Sequence, residues 1–435
     1  MNINELAARV KQASLQLAAT GGETKNDALR CVAEAISERR QDIIRANEED
    51  LRRSRQENLA APLLSRLKFD EEKIAETVDG LHSLVQLAEP VGKTQLSTEL
   101  DVGLELYKVT CPIGVIGVIF ESRPDALVQI SSLCLKSGNG VLLKGGSEAK
   151  ETNRILAEII VQATTKAGIP KDWLYLMETR SEVSEMLSAS EWIDLLIPRG
   201  SNEFVRYIMD NTKIPVMGHA DGICHLYVDA GADLDMAVKL AVDSKTQYVA
   251  VCNATETLLV HQQIAGAFLP KLAAALAPKQ VELIGCPQTA AILGGVTPAS
   301  EADWGAEYLD YKLSVKIVPN LEEAIRHINQ YGSGHTDSIV TADSRAASTF
   351  MSLVDSGNVY WNCSTRFSDG FRYGFGAEVG VSTSKIHSRG PVGLEGLLIY
   401  KYKLIGNGHI VADYSERIKT FKHNKLNRDF PYEQN

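Results

Sequence analysis

Apolar residues recur at i, i+3, i+4 and i+7 through the start of the chain, in NINELAARVKQASLQLAAT and NDALRCVAEAISERRQDIIRANEEDL. That is the period of amphipathic helices. A third such pattern covers about Asp70 to Leu87. After Pro90 the period changes: STELDVGLELYKVTCPIGVIGVIF reads as extended strands with a turn near Asp101 to Gly103. Strand and helix patterns then alternate. VIGVIF is followed by a helix from about Pro124 to Lys136, GVLLKG by one from Glu148 to Ala167, WLYLM by a short helix, and IDLLIPRG by a helix over Asn202 to Met209. Uninterrupted apolar strands between helices predict a parallel sheet covered on both faces.

A second block of this kind runs from about Cys224 to Ser368, with strands in ICHLYVD, ETLLVH, LSVKIV, DSIVT and NVYWN. The tail LLIYKYKLIGNGHIV predicts two more strands meeting at Gly406-Asn407-Gly408. They have no sheet of their own in the sequence, so pairing with ELDVGLELYKV or with a neighbouring subunit is expected.

The 435 residues exceed one ordinary core, so at least two domains are expected. A net charge of −10 argues against nucleic acid as a partner. The seven cysteines include no C-x-x-C pair and the nine histidines form no H-E-x-x-H motif. A disulfide framework and a bound metal are therefore not expected. The start of the chain lacks a signal peptide's apolar core and no apolar run could span a bilayer, so a reducing cytoplasm is the expected compartment.

Five stretches carry candidate chemistry. SGNGVLLKGGSEA ends a strand in Lys144, then places Gly145, Gly146 and Ser147 before a helix. It matches neither the dinucleotide fingerprint nor a P-loop, and reads equally as a plain turn with a solvated lysine. In IPRGS, Pro198, Arg199, Gly200 and Ser201 close a strand and open a helix whose N–H groups suit an anion, although an ordinary capped turn looks the same. FESRPD brings Ser122 and Arg123 to a strand end. In QYVAVCNATETLLVH, Cys252 is followed by Asn253, Thr255 and Glu256. Free cysteines are usually buried filler, the reading for Cys31 and Cys134. Nearby N–H groups could instead stabilise a thiolate and an oxyanion at Cys252. Arg366 and Arg372, in a glycine-rich loop, could grip a carboxylate or phosphate.

Taken in order, CPIGVIGVIFESRPD, SGNGVLLKGGSEA, IDLLIPRGS, PVMGHADGICHLYVD, CNATETLLVH and STRFSDGFRYGFGAEVGVSTSKIHSRGPVGLEGL resemble the aldehyde dehydrogenase superfamily, specifically its members that reduce acyl phosphates. The resemblance implies an α/β fold with two parallel-sheet domains and a small β oligomerisation element. Residues 1–98 and 112–223 would form the cofactor-binding domain and 224–368 the catalytic domain. Residues 369–398 would be loops returning to the cofactor domain and the site, with oligomerisation strands and tail in 99–111 and 399–435.

The resemblance also makes Cys252 the nucleophile, assisted by Asn253. Lys144 to Ser147, Pro198 to Ser201, Gly218 and Glu307 would hold the cofactor, and Arg123, Arg366 and Arg372 the substrate. Ser122 stands where the superfamily carries an oxyanion-hole asparagine. VMGHADG lacks the water-activating glutamate of aldehyde oxidisers, which fits a reductase. Ser147 replaces the acid expected beside an NAD ribose, which favours NADPH, though Glu148 is adjacent. The implied reaction is reduction of L-glutamyl 5-phosphate to the 5-semialdehyde through a cysteine thioester, in proline biosynthesis. The implied partners are that small acyl phosphate, further copies of the chain in a homo-oligomer, and glutamate 5-kinase. The competing readings are a reductase of another acyl phosphate or acyl-CoA, a non-catalytic dinucleotide-binding or scaffold protein, and a cysteine acyl hydrolase or transferase. The last would need a base such as His219 or His225 beside the sulfur.

Overall fold

The computed structural model describes residues 3–178 and 181–432. The chain divides into two units. One contains 1–200, 206–217 and 393–435; the other contains 201–205 and 218–392.

In the first unit the helical period of the sequence becomes helices Ile3–Leu17, Gly22–Glu38, Arg40–Gln56, Ala61–Leu67 and Glu71–Gln86. What reads as a single long helix is broken at Arg39, where φ −94° and ψ 17° leave the helical region. The seven-residue Ala61–Leu67 helix was not expected, being too short to show a period. Gly22–Glu38 packs against Lys150–Lys166 and Glu71–Gln86. A parallel sheet runs in the order Leu174–Met177, Gly140–Gly145, Val115–Phe120, Leu195–Arg199. Its two central strands are buried at every position, as covering on both faces requires. The register sets Phe120 opposite both Gly145 and Arg199, so the loops after these strands leave the same carboxyl edge.

A separate antiparallel sheet in this unit joins Leu398–Ile405, Leu104–Pro112, Thr94–Asp101 and Asn424–Lys425. The tail strand thus pairs with the ELDVGLELYKV segment. The second expected tail strand is absent: after Gly408 the chain forms a short helix, Val411–Ser415, and only Asn424–Lys425 returns to the sheet.

The second unit holds a seven-stranded parallel sheet in the order Thr297–Pro298, Glu282–Gly285, Lys312–Val318, Thr255–His261, Cys224–Val228, Thr336–Val340, Asn358–Trp361. Side chains alternate between its faces. Leu226, Val228, Leu258 and Val260 pack with Phe268, Leu269 and Leu272 of helix Gln262–Leu276. Tyr227, Leu259 and Ile339 pack with Ala324, Ile328 and Phe350. The strands Glu282–Gly285 and Thr297–Pro298 were missed, because four and two residues carry too little pattern. Among the described residues no helix is long and apolar enough to cross a membrane.

Phe268 is fully buried in the first of these cores. Truncation to alanine removes the ring and leaves a cavity, so Phe268→Ala should lower the stability of this unit by about 3–5 kcal/mol. A denaturant midpoint that stays in place for the unit's transition would contradict that packing.

Candidate active site

Cys252 lies in a turn between helix Leu234–Thr246 and strand Thr255–His261, closed by the Ala254 N–H donating to Val251 O at 3.1 Å. The thiol therefore sits at the amino end of its strand, neither at a helix start nor at the carboxyl edge where ligands of such sheets usually bind. It is half-buried and so reachable. Burial holds the Cys224 and Cys134 thiols well above the ordinary thiol range, which makes them inert filler.

Both ends of the turn are anchored by one ion pair. Lys245, in the last turn of the helix, meets Glu256, the second residue of the strand, at 2.6 Å, and both side chains are fully buried. Burial pushes the Glu256 carboxyl up to about 7 against the attraction of Lys245, and the same burial pushes the Lys245 ammonium down. Asn253 ties the turn to a second segment. Its amide donates to Ser368 O at 2.8 Å, and its own carbonyl accepts from the Thr365 hydroxyl at 2.7 Å. Gly222 lies against the turn from below: a Cβ there would stand 2.2 Å from Cys252 O, so only glycine fits. Cys224 Sγ also donates to that carbonyl at 3.2 Å.

Around the sulfur stand groups from distant sequence. Cys252 Sγ and one ring nitrogen each of His219 and His335 lie within 4.8 Å of one another. Such a donor set could hold a metal ion, and spacing in the chain could not reveal it. His219 Nδ1 faces Val381 O at 2.8 Å. The competing candidate base, His225, is fully buried and bonded through Nδ1 to Asp337 at 2.8 Å. Glu307 accepts from the Asn202 amide and the Gly222 N–H and feels the charge of His219. Its carboxyl is raised, by burial above all. Gly218 accepts from the Thr383 N–H at 3.2 Å. Arg366 is buried, donates through Nε to Gln247 at 2.9 Å, and is coupled electrostatically to Cys252. Burial, then the charge of Arg372, pushes its guanidinium down. Arg372 Nη1 donates to Arg366 O at 2.6 Å, so it braces the loop that carries Arg366.

The other expected site residues belong to the first unit, except Ser201, which opens the second unit's short 201–205 segment. Ser122 has a left-handed φ of 44°, uncommon for a non-glycine residue. Its N–H and hydroxyl both donate to Glu148 Oε1, at 2.6 and 2.8 Å, so the side chain fixes its loop and is not left over as an oxyanion donor. Arg123 precedes helix Pro124–Lys136. Lys144 ends its strand with Nζ on Gly145 O at 2.5 Å. The helix after Gly146 and Ser147 does not offer its amino end to a phosphate. Asp50 already accepts from Glu151 N and Thr152 N there, at 3.2 and 2.8 Å. Pro198 and Arg199 end a strand beside the FESRPD loop, with Glu121 N donating to Arg199 O at 3.0 Å; Gly200 and Ser201 follow.

The sequence reading passed over Gly222, Lys245 and His335. His335 directly precedes the strand Thr336–Val340 in SGHTDSIVT, and that polar lead-in to an apolar strand is the available signal.

The chain belongs to the aldehyde dehydrogenase family, whose model matches residues 1–312 and 312–390. A "Gamma-glutamyl phosphate reductase" of Acetivibrio thermocellus is 70% identical over 431 residues, covering 99% of this chain and 100% of the relative. One of Pelotomaculum thermopropionicum is 70% identical over 430 residues, covering 99% of each. The crystal structure of a gamma-glutamyl phosphate reductase from Thermotoga maritima superposes with a TM-score of 0.91 at 40% identity, covering 93% of this chain and 99% of that one. Within the family, the chain stands among the gamma-glutamyl phosphate reductases.

The raised Glu256 carboxyl gives a pH signature. Between the ordinary carboxyl value of 4.5 and about 7, the folded chain holds a proton on Glu256 that the unfolded chain has lost. Stability from this group is full below 4.5 and is lost as pH rises through 7. Denaturant midpoints of the wild type should therefore fall relative to Glu256→Gln between about pH 5 and 8, and parallel pH curves would refute the shift.

Proposed function

We propose that this protein reduces L-glutamyl 5-phosphate to L-glutamate 5-semialdehyde with NADPH, in proline biosynthesis. The observation that carries the reading is the placement of Cys252. A reachable thiol stands beside a cationic arginine, two histidines and Glu307, in a chain 70% identical to reductases named for that substrate.

The Cys252 thiolate attacks the acyl carbon, forming a C–S bond. The C–O bond to phosphate breaks, and phosphate departs with the electron pair. Arg366, the cation coupled to Cys252, supplies positive charge for the thiolate and an anionic substrate group. Arg372 keeps Arg366 in position, and Arg123 is a further candidate for the substrate. The bound reduced nicotinamide supplies the hydride that converts the thioester to the aldehyde level. Cys252 then leaves as thiolate and frees the semialdehyde. Asn253 holds the turn through Ser368, so the sulfur keeps its place across both halves.

Three loops at one carboxyl edge of the first unit's sheet fit a dinucleotide: Ser122–Arg123, Lys144–Ser147 and Pro198–Ser201. Gly218 and Glu307, both in the second unit, are the remaining cofactor candidates. NADPH is favoured over NADH because Ser147 is not acidic and Glu148 Oε1 is already occupied by Ser122. The first unit is thus the cofactor-binding domain and the second the catalytic one. Tyr402 and Leu404, exposed on the tail strand, support a homo-oligomer formed through that sheet. A cytoplasmic location and contact with glutamate 5-kinase complete the proposal. His219 beside the sulfur would also serve an acyl hydrolase, but the named relatives are reductases.

The reverse reaction tests this directly. With glutamate semialdehyde (as its cyclic pyrroline carboxylate), phosphate and NADP⁺, the wild type should form NADPH only when phosphate is present. Cys252→Ala should lower the rate at least about a thousandfold. Phosphate-independent NADPH formation, or an active Cys252→Ala, would refute the reading.

A further inference from the structure

We propose that His335 is a neutral hydrogen-bond donor to the reacting centre, its Nε2–H stabilising first the Cys252 thiolate and then the oxyanion of the acyl group. The inference rests on the thioester reading above and names the group that performs its charge stabilisation.

The argument is an inventory of donors and acceptors. Asn358 Nδ2 donates to His335 O at 3.0 Å, which fixes the orientation of that amide, and Asn358 Oδ1 accepts from Tyr373 at 2.9 Å. The same Nδ2 donates to Thr336 Oγ1 at 3.2 Å, so the threonine oxygen is an acceptor there and its own hydrogen is left to donate. We assign that hydrogen to His335 Nδ1, 2.8 Å from Oγ1. Cys224 Sγ, 3.7 Å from the same nitrogen, uses its hydrogen on Cys252 O. With Nδ1 an acceptor, the ring proton of neutral His335 is on Nε2. His335 is fully buried, and its Nε2 has no partner within the protein.

His225 and His327 also leave Nε2 unpartnered and buried, so orphanhood alone does not mark a site. Only His335 among the three belongs to the group that contains the reactive sulfur. A buried donor without an acceptor is costly, and an oxyanion or thiolate would satisfy it. His219 has the opposite tautomer. Its Nδ1 faces Val381 O, which can only accept, so the ring proton is on Nδ1 and Nε2 carries the lone pair. The two rings stand edge to face at 4.9 Å between centroids. In this arrangement His219 takes the thiol proton and His335 donates to the resulting negative charge.

The charged and titratable groups around the sulfur are His219, Arg366 and Cys224, with Glu307 next to His219. The test compares His335→Ala with His335→Gln, whose amide restores a donor but cannot serve as a base. Cys252 alkylation by iodoacetamide is followed against pH, without substrate or cofactor, and thermal unfolding checks the fold. His335→Ala should move the alkylation midpoint up by about one to two pH units, and His335→Gln should reverse at least half of that. In turnover, kcat should fall about 10²- to 10³-fold for alanine, with KM little changed and partial recovery for glutamine. An unmoved midpoint in folded His335→Ala overturns the proposal, and so does a glutamine variant as impaired as alanine, which would make His335 a proton-transfer group. If the wild type shows no phosphate-dependent turnover, the reductase reading fails, while the alkylation midpoints still decide the role of His335.

Discussion

The arrangement at Cys252 depends on the Lys245–Glu256 pair. A turn between a helix and a central strand is free to move unless its ends are held, and here one contact in the dry interior holds both. The pair is a strong constraint because neither group has water as an alternative: each has been pushed toward its neutral form by burial, and each finds its charged partner in the other, with the Leu309 N–H adding a bond to Glu256. Asn253, Thr365 and Gly222 add restraint from other segments, and Gly222 does so by having no side chain. Cys252 is thus positioned by backbone geometry rather than by hydrogen bonds of its own.

The two parallel sheets present their chemistry at opposite ends. In the first unit the candidate cofactor loops leave the carboxyl edge of the strands. In the second, Cys252 and His335 precede their strands, at the amino edge of the sheet.

Much of this was legible in the sequence because period and length are local properties. VIGVIF is a continuous apolar run, GVLLKG and ETLLVH each hold three consecutive apolar residues, and all three strands are where the pattern places them. The break at Arg39, the short Ala61–Leu67 helix and the two-residue strand Thr297–Pro298 fall below the resolution of any period. Cys252 could be singled out by its polar neighbours and by the resemblance of the motifs around it. His335, eighty-three positions later, could not, because the fold alone brings its strand beside that of Cys224. Ser122 illustrates the converse. Its position suggested a donor to substrate, but its hydrogen is spent on Glu148, a side chain twenty-six residues away.

The tail strand Leu398–Ile405 pairs with Leu104–Pro112 so that Glu105 meets Ile405, three hundred residues later in the chain. The first unit is therefore interrupted by the whole of the second. On the ribosome, the strands of the second unit have all been made while the antiparallel sheet of the first still lacks both outer members, Leu398–Ile405 and Asn424–Lys425. Synthesis order and assembly order are inverted: the unit begun first is finished last.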